Sequence, residues 1–211
     1  MELYTYWRST SSYRLRIALN LKALTYKSVP VHLIKDGGEQ NSSSYRALNP
    51  QGRVPILTLD DGTILIQSPA IIEYLEETYP NPALLPDDKH VRAKIRAVAA
   101  IVGCDIHPLH NVSALNYIRN IFGQNDDAVA TWIRKWIHDG FDAIEPLLGE
   151  GDFSFGNSPS LADVYIIPQI YAARRFSAVL DKYPNILKIE NSASTHPAFI
   201  QAHPDCQQDK L

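Results

Sequence analysis

A small α/β domain followed by an all-helical domain is the architecture that the sequence predicts. Three observations carry that expectation. Strand-like and helix-like stretches alternate from Leu3 to about residue 78. From Val91 onward the apolar residues recur at spacings of three and four, the period of an amphipathic helix. Between the halves lies a proline-rich break, Tyr79-Pro80-Asn81-Pro82, that closes at Pro86. The expected division is therefore residues 1–79, a linker over 80–86, and a helical domain over 87–211.

The elements follow in order. Leu3-Tyr4-Thr5-Tyr6-Trp7 is rich in β-prone side chains and reads as a strand ending at Arg8. Ser9-Thr10-Ser11-Ser12 is a run of capping residues, and a helix follows through Leu15, Ala18, Leu19 and Leu24. Ser28 to Leu33 reads as a second strand, with Val29, Val31 and Leu33 on one face, and Gly37-Gly38 breaks it. Tyr45 to Leu48 is a short helical piece stopped by Asn49-Pro50. Val54 to Leu59 and Thr63 to Ile66 flank Asp60-Asp61-Gly62, a hairpin signal. Ser68-Pro69 opens a helix that buries Ile71, Ile72 and Leu75. In the second half, one apolar series runs from Val91 to Leu109 and another from Val129 to Ile144, with a turn at Gly123–Asp127. Ser160-Leu161-Ala162-Asp163 is a capping signature before Val164–Phe176, and Tyr183-Pro184 and His196-Pro197 begin two terminal helices.

Composition narrows the function. The 211 residues are 45% hydrophobic, enough for a substantial core, and the formal net charge is −3. With no basic block, nucleic acid is not the expected partner. No apolar run reaches the roughly 20 residues of a membrane span. Met1-Glu2-Leu3-Tyr4 does not read as a secretory leader. Cys104 and Cys206 form no metal or redox motif and fit a reducing cytoplasm.

Five segments could carry chemistry. At Arg8-Ser9-Thr10-Ser11-Ser12 a helix N-terminus offers unpaired amides and partial positive charge, which favour an anion such as a thiolate. Taken alone, the same hydroxyls read as simple caps. Val54-Pro55 reads as an edge residue or as a cis bond that turns the Val54 backbone toward a peptide-like ligand. Gln67-Ser68 precedes a helix whose N-terminus can hold a carboxylate, with Ser68 as the expected cap. His107 and His110 share a helix face, but a metal needs further ligands that the spacing does not supply; polar lining of a cleft is the better reading. Arg174-Arg175, in a last helical turn, either complements the helix dipole or forks onto a carboxylate.

Together these stretches resemble the zeta class of the glutathione transferases. The resemblance rests on Tyr6 to Leu19, Leu33 to Gly38, Ala47 to Gln51, Gln67 to Glu77, Pro108 to Asn111 and Ala173 to Phe176. It implies a thioredoxin-like N-terminal domain, an all-helical second domain, a homodimer, and glutathione as cofactor. The implied activity is cis–trans isomerisation of maleylacetoacetate, a small cis-enedioyl dicarboxylic acid, to fumarylacetoacetate. Maleylpyruvate as substrate, and glutathione transfer or dehalogenation of small α-halo acids, are the alternatives. By the same resemblance Ser9, Thr10 and Ser11 would surround the glutathione sulfur. Gln40, Val54 and Pro55 would hold the tripeptide backbone, and Gln67 and Ser68 its γ-glutamyl end. His107 and Asn111 would add contacts from the helical domain, and Arg8 and Arg175 would face substrate carboxylates. One position departs from the class pattern: Ser11 stands where a cysteine is usual, which leaves activation to hydroxyls and the helix dipole.

Overall fold

A four-stranded mixed sheet, in the order β2-β1-β3-β4, organises the first part of the chain. The computed structural model describes residues 1–210, with all of their side chains except that of Asp36. Strands β1 (Glu2–Thr5) and β2 (Lys27–Pro30) are parallel, joined by helix α1 (Thr10–Leu21). After α2 (Ser43–Leu48), strands β3 (Ile56–Thr58) and β4 (Ile64–Ile66) form the expected antiparallel hairpin, and β3 is also antiparallel to β1. Helix α3 (Ser68–Thr78) closes the motif. Leu3 and Leu57 face each other in register and are fully buried, so the apolar alternation fixes which face of the sheet is the core.

Among the boundaries that differ from the sequence expectation, three have a local reason. Strand β1 stops at Thr5 rather than Trp7, and the chain turns so that the Ser9 amide donates to the Tyr6 carbonyl at 3.0 Å. Strand β2 ends at Pro30 rather than Leu33, where its register with β1 runs out. Helix α1 stops at Leu21 because Ala23 takes a left-handed conformation (φ 52°) and the Ala23 and Leu24 amides close back on Asn20 and Leu19.

Two compact units result: Met1–Ala83 together with the chain from Thr195 onward, and Leu84–Ser194. The expected helical domain of 87–211 is thus corrected at its end. Helix α9 (Pro197–Ala202) packs on α1, with Asn20 Nδ2 donating to the Ala198 carbonyl at 3.0 Å and Arg16 Nε to the Ala202 carbonyl at 2.9 Å. A buried ion pair, Lys22–Glu76 at 2.7 Å, joins α1 to α3, and the same ammonium donates to the Tyr79 and Pro82 carbonyls.

The second unit contains α4 (Lys89–Ala100), α5 (Val112–Asn120), α6 (Asp126–Ile144), α7 (Leu161–Arg175) and most of α8 (Pro184–Thr195). Its core is the buried face of the predicted apolar series: Ile95, Val98, Val102, Ile106, Ile133 and Phe141. The series from Val91 to Leu109 is not one helix. After Ala100 it widens into a π turn over Ile101–Ile106, then tightens into a 3-10 turn over His107–His110, where Pro108 removes a backbone donor. Helix α5 was not expected from the sequence. No helix is long and apolar enough to cross a membrane among the described residues.

Candidate active site

Ser9 occupies the N-cap of α1 in an extended conformation (φ −71°, ψ 122°), and its hydroxyl oxygen accepts the Ser12 amide at 3.2 Å. The first turn carries no acidic side chain, so the positive end of the helix is not neutralised from within. Ser9 Oγ lies 3.0 Å from Ser11 Oγ, and the Ser11 hydroxyl donates to the Val54 carbonyl at 3.1 Å. Because the Ser11 proton is committed to Val54, the Ser9 hydroxyl is the donor of the pair. It is therefore the hydroxyl whose proton can swing toward an incoming anion. Ser9 and Ser11 are half-buried, whereas Thr10 is only 7% exposed in the first turn. The structure thus brings Ser9, Ser11 and Val54 together and sets Thr10 back. The Arg8 guanidinium lies 5.3 Å from the centre of the Trp7 ring, on the same turn.

The Val54–Pro55 peptide is cis. Its approach is fixed by Tyr45 Oη and Asn49 Nδ2, which both donate to the Arg53 carbonyl at 2.8 Å. Burial pushes the Tyr45 phenol well up, so it stays a neutral donor. Tyr6, Val31, Tyr45, Val54 and Ile56 form one buried cluster beneath this strand end.

Ser68 is not the cap that the sequence predicts. Gln67 holds the cap position of α3, and Ser68 is the first helical residue, 3% exposed. Gln67 has φ 70°, a left-handed conformation costing about 1–2 kcal/mol for a residue with a Cβ. Its amide nitrogen donates to Gln51 Oε1. No side chain caps α3, and its first turn also lacks an acid. Gln40 donates from Nε2 to the Leu33 carbonyl at 3.2 Å, which fixes its amide orientation; its Oε1 is buried with no hydrogen-bond partner. An unmet buried acceptor of this kind costs about 1–3 kcal/mol and is met by any N–H brought to it. Gly38, at φ 92°, lies against this amide: a Cβ there would come within 2.3 Å of Gln40 Nε2.

In the second unit His107, His110 and Phe176 form an edge-to-face series, with centroids 5.4 and 5.9 Å apart. His110 is buried and bonds Gln169 of α7 through Nε2 at 3.2 Å to Oε1. The Arg175 guanidinium covers the Phe176 ring at 4.4 Å. Its neighbour Arg174 is committed to Glu190 through two hydrogen bonds, one of them 2.6 Å. Asn111 caps α5, its oxygen accepting the Ser113 amide at 3.2 Å, which leaves its amide nitrogen as the group available to a ligand. Gln169 was not singled out in the sequence. Its signal there is a lone polar side chain inside the apolar run Val164–Ile170, and it is fully buried.

Residues 3–83 match the glutathione S-transferase N-terminal domain. Over 209 residues the chain is 58% identical to maleylacetoacetate isomerase of Pseudomonas aeruginosa, covering 99% of this chain and 98% of that one. Its structure superposes with a TM-score of 0.96 on holo maleyl pyruvate isomerase, a bacterial zeta-class glutathione S-transferase, at 49% identity and full coverage of both chains. A second solved structure, maleylacetoacetate isomerase of Anaeromyxobacter dehalogenans with glutathione in its active site, gives a TM-score of 0.89 at 40% identity, covering 100% of this chain and 97% of that one.

Proposed function

The chain belongs to the zeta class of the glutathione S-transferase family, and from that premise we propose that it is a glutathione-dependent cis–trans isomerase acting on maleylacetoacetate. The single observation that carries this reading is the serine-capped, acid-free N-terminus of α1, with the Ser9 hydroxyl free to turn its proton outward.

The residues fit glutathione. An ionised sulfur suits the Ser9 hydroxyl and the positive end of α1. A carboxylate suits the uncapped start of α3 beside Gln67 and Ser68. A ligand N–H suits the unmet Oε1 of Gln40, and the Val54–Pro55 turn offers backbone for pairing with a peptide. Bound glutathione supplies a thiolate that adds reversibly to the cis double bond and leaves once that bond has rotated.

Ionisation is within reach of these groups. A free thiol titrates near about 8.5, and lowering it by about two units takes roughly 2.7 kcal/mol. One charge-assisted hydroxyl bond contributes about 1.5–3 kcal/mol and a helix N-terminus about 0.3–1. No cationic partner and no cysteine at position 11 is required. Arg8, on the same turn as Ser9, stabilises negative charge that develops on the substrate ketone oxygen. Arg175 binds the distal carboxylate, because Arg174 is already spent on Glu190. In the same reading the protein is a cytoplasmic homodimer, which sedimentation of the purified chain checks.

The name of the 49% identical relative favours maleylpyruvate as a second substrate. An ultraviolet assay of both cis acids, with and without glutathione, tests the reading. Isomerisation that requires glutathione and is faster with maleylacetoacetate is expected. Equal rates without glutathione would refute the proposal, and a preference for maleylpyruvate would replace the substrate.

A further inference from the structure

The segment Tyr6-Trp7-Arg8 links β1 to α1 without regular structure, yet its backbone is held by groups distant in sequence. Arg16, 0% exposed in the second turn of α1, donates from Nη1 to Thr5 Oγ1 at 3.1 Å and to the Tyr6 carbonyl at 3.4 Å. Its Nη2 donates to the Trp7 carbonyl at 3.0 Å, and its Nε is the group that binds Ala202 of α9. From the same returning segment, the Asp209 carboxylate accepts the Trp7 amide at 2.8 Å. Both polar backbone groups of Trp7 are therefore fixed from outside the loop, two residues before Ser9.

We propose that Arg16 and Asp209 are positioning residues that clamp Trp7 so that Ser9 is held where it ionises the glutathione thiol. The proposal rests on the reading that glutathione binds at Ser9. Among the described residues of the returning segment, Lys210 pairs with Asp205 at 2.8 Å, and His203 lies within 3.7 Å of the same carboxylate. Of the two described side-chain carboxylates there, Asp209 is thus the one turned to the loop. Placement matters because a hydrogen bond to a developing anion weakens steeply with misalignment, and a shift of about 1 Å can cost on the order of a hundredfold in rate.

The test is the pH midpoint of the thiolate absorbance of glutathione bound to the full chain, compared for wild type, Asp209→Ala and Asp209→Asn. Charge alone predicts a fall in the midpoint when a nearby carboxylate is removed. Loss of positioning predicts the opposite sign. Asp209→Ala is expected to raise the midpoint by about half a unit, roughly a threefold loss of thiolate on the acid side, with the unfolding temperature nearly unchanged. Asp209→Asn, which keeps an acceptor for the Trp7 amide, is expected to sit at or below wild type. Arg16→Lys, which keeps the charge but not the fork, is expected to shift upward with Asp209→Ala where it folds. An unchanged or lower midpoint in Asp209→Ala, or an asparagine variant that shifts like the alanine one, would overturn the clamp. A wild type that binds glutathione without a thiolate band would instead overturn the functional reading beneath it.

Discussion

Helices α1 and α7 are both capped by a serine, and they begin differently. At the start of α7, Asp163 is fully buried and both of its carboxylate oxygens are saturated. One takes the amide and hydroxyl of Ser154, and the other takes the Ser160 amide at 2.7 Å and hydroxyl at 2.8 Å. Burial pushes this carboxyl up, and the four donors pull against it. At the start of α1 the chain supplies no such acid, and Ser9 keeps a proton to give. The same local rule, an oxygen-bearing cap on a helix, is satisfied internally in one place and left for an external anion in the other. Helix α7 repeats the contrast at its far end, where Arg174 is locked to Glu190 and Arg175 lies across an aromatic face.

The largest effect should come from opening the closed end. Asp163→Ala leaves four donors stranded in the interior and should cost about 3–5 kcal/mol of stability, read from denaturant midpoints, while activity per folded molecule holds. Next, Ser9→Ala should cost about 1 kcal/mol as a lost cap but lower kcat/KM by about 10- to 100-fold at saturating glutathione. Ser11→Ala should cost less activity than Ser9→Ala. A Ser9→Ala protein as active as wild type would break the contrast between the two ends. The smallest effect divides the arginines. Arg175→Ala should raise KM by about tenfold with little change in kcat, the mark of uniform binding, whereas Arg174→Ala should move neither and cost a few tenths of a kcal/mol. Equal KM changes in the two would remove Arg175 from the substrate.

Much of this was legible in the sequence because the signals are local. The Asp60-Asp61-Gly62 turn, the Ser160–Asp163 cap and the serine run before α1 each specify their geometry within a few residues. The rest depends on partners remote along the chain. Gln67 reads as a residue before a helix, but its left-handed backbone is visible only in three dimensions. The apolar period from Val91 to Leu109 cannot reveal that the helix widens at Ile101, because a π turn keeps the same residues inward. Arg16 and Gln169 carry a faint mark, a polar side chain inside an apolar stretch, that does not say what it will meet. Asp209 carries none.

The first unit is interrupted by all of residues 84–194, which bears on how it is made. During translation its strands and α1 emerge early, but α9 and the carboxylate that takes the Trp7 amide leave the ribosome only after the intervening unit, a delay on the order of ten seconds at common elongation rates. Until then the buried guanidinium of Arg16 lacks its Ala202 acceptor. A fragment that stops near residue 83 would carry every hydroxyl of the candidate site and yet lack the keystone of the unit that holds them.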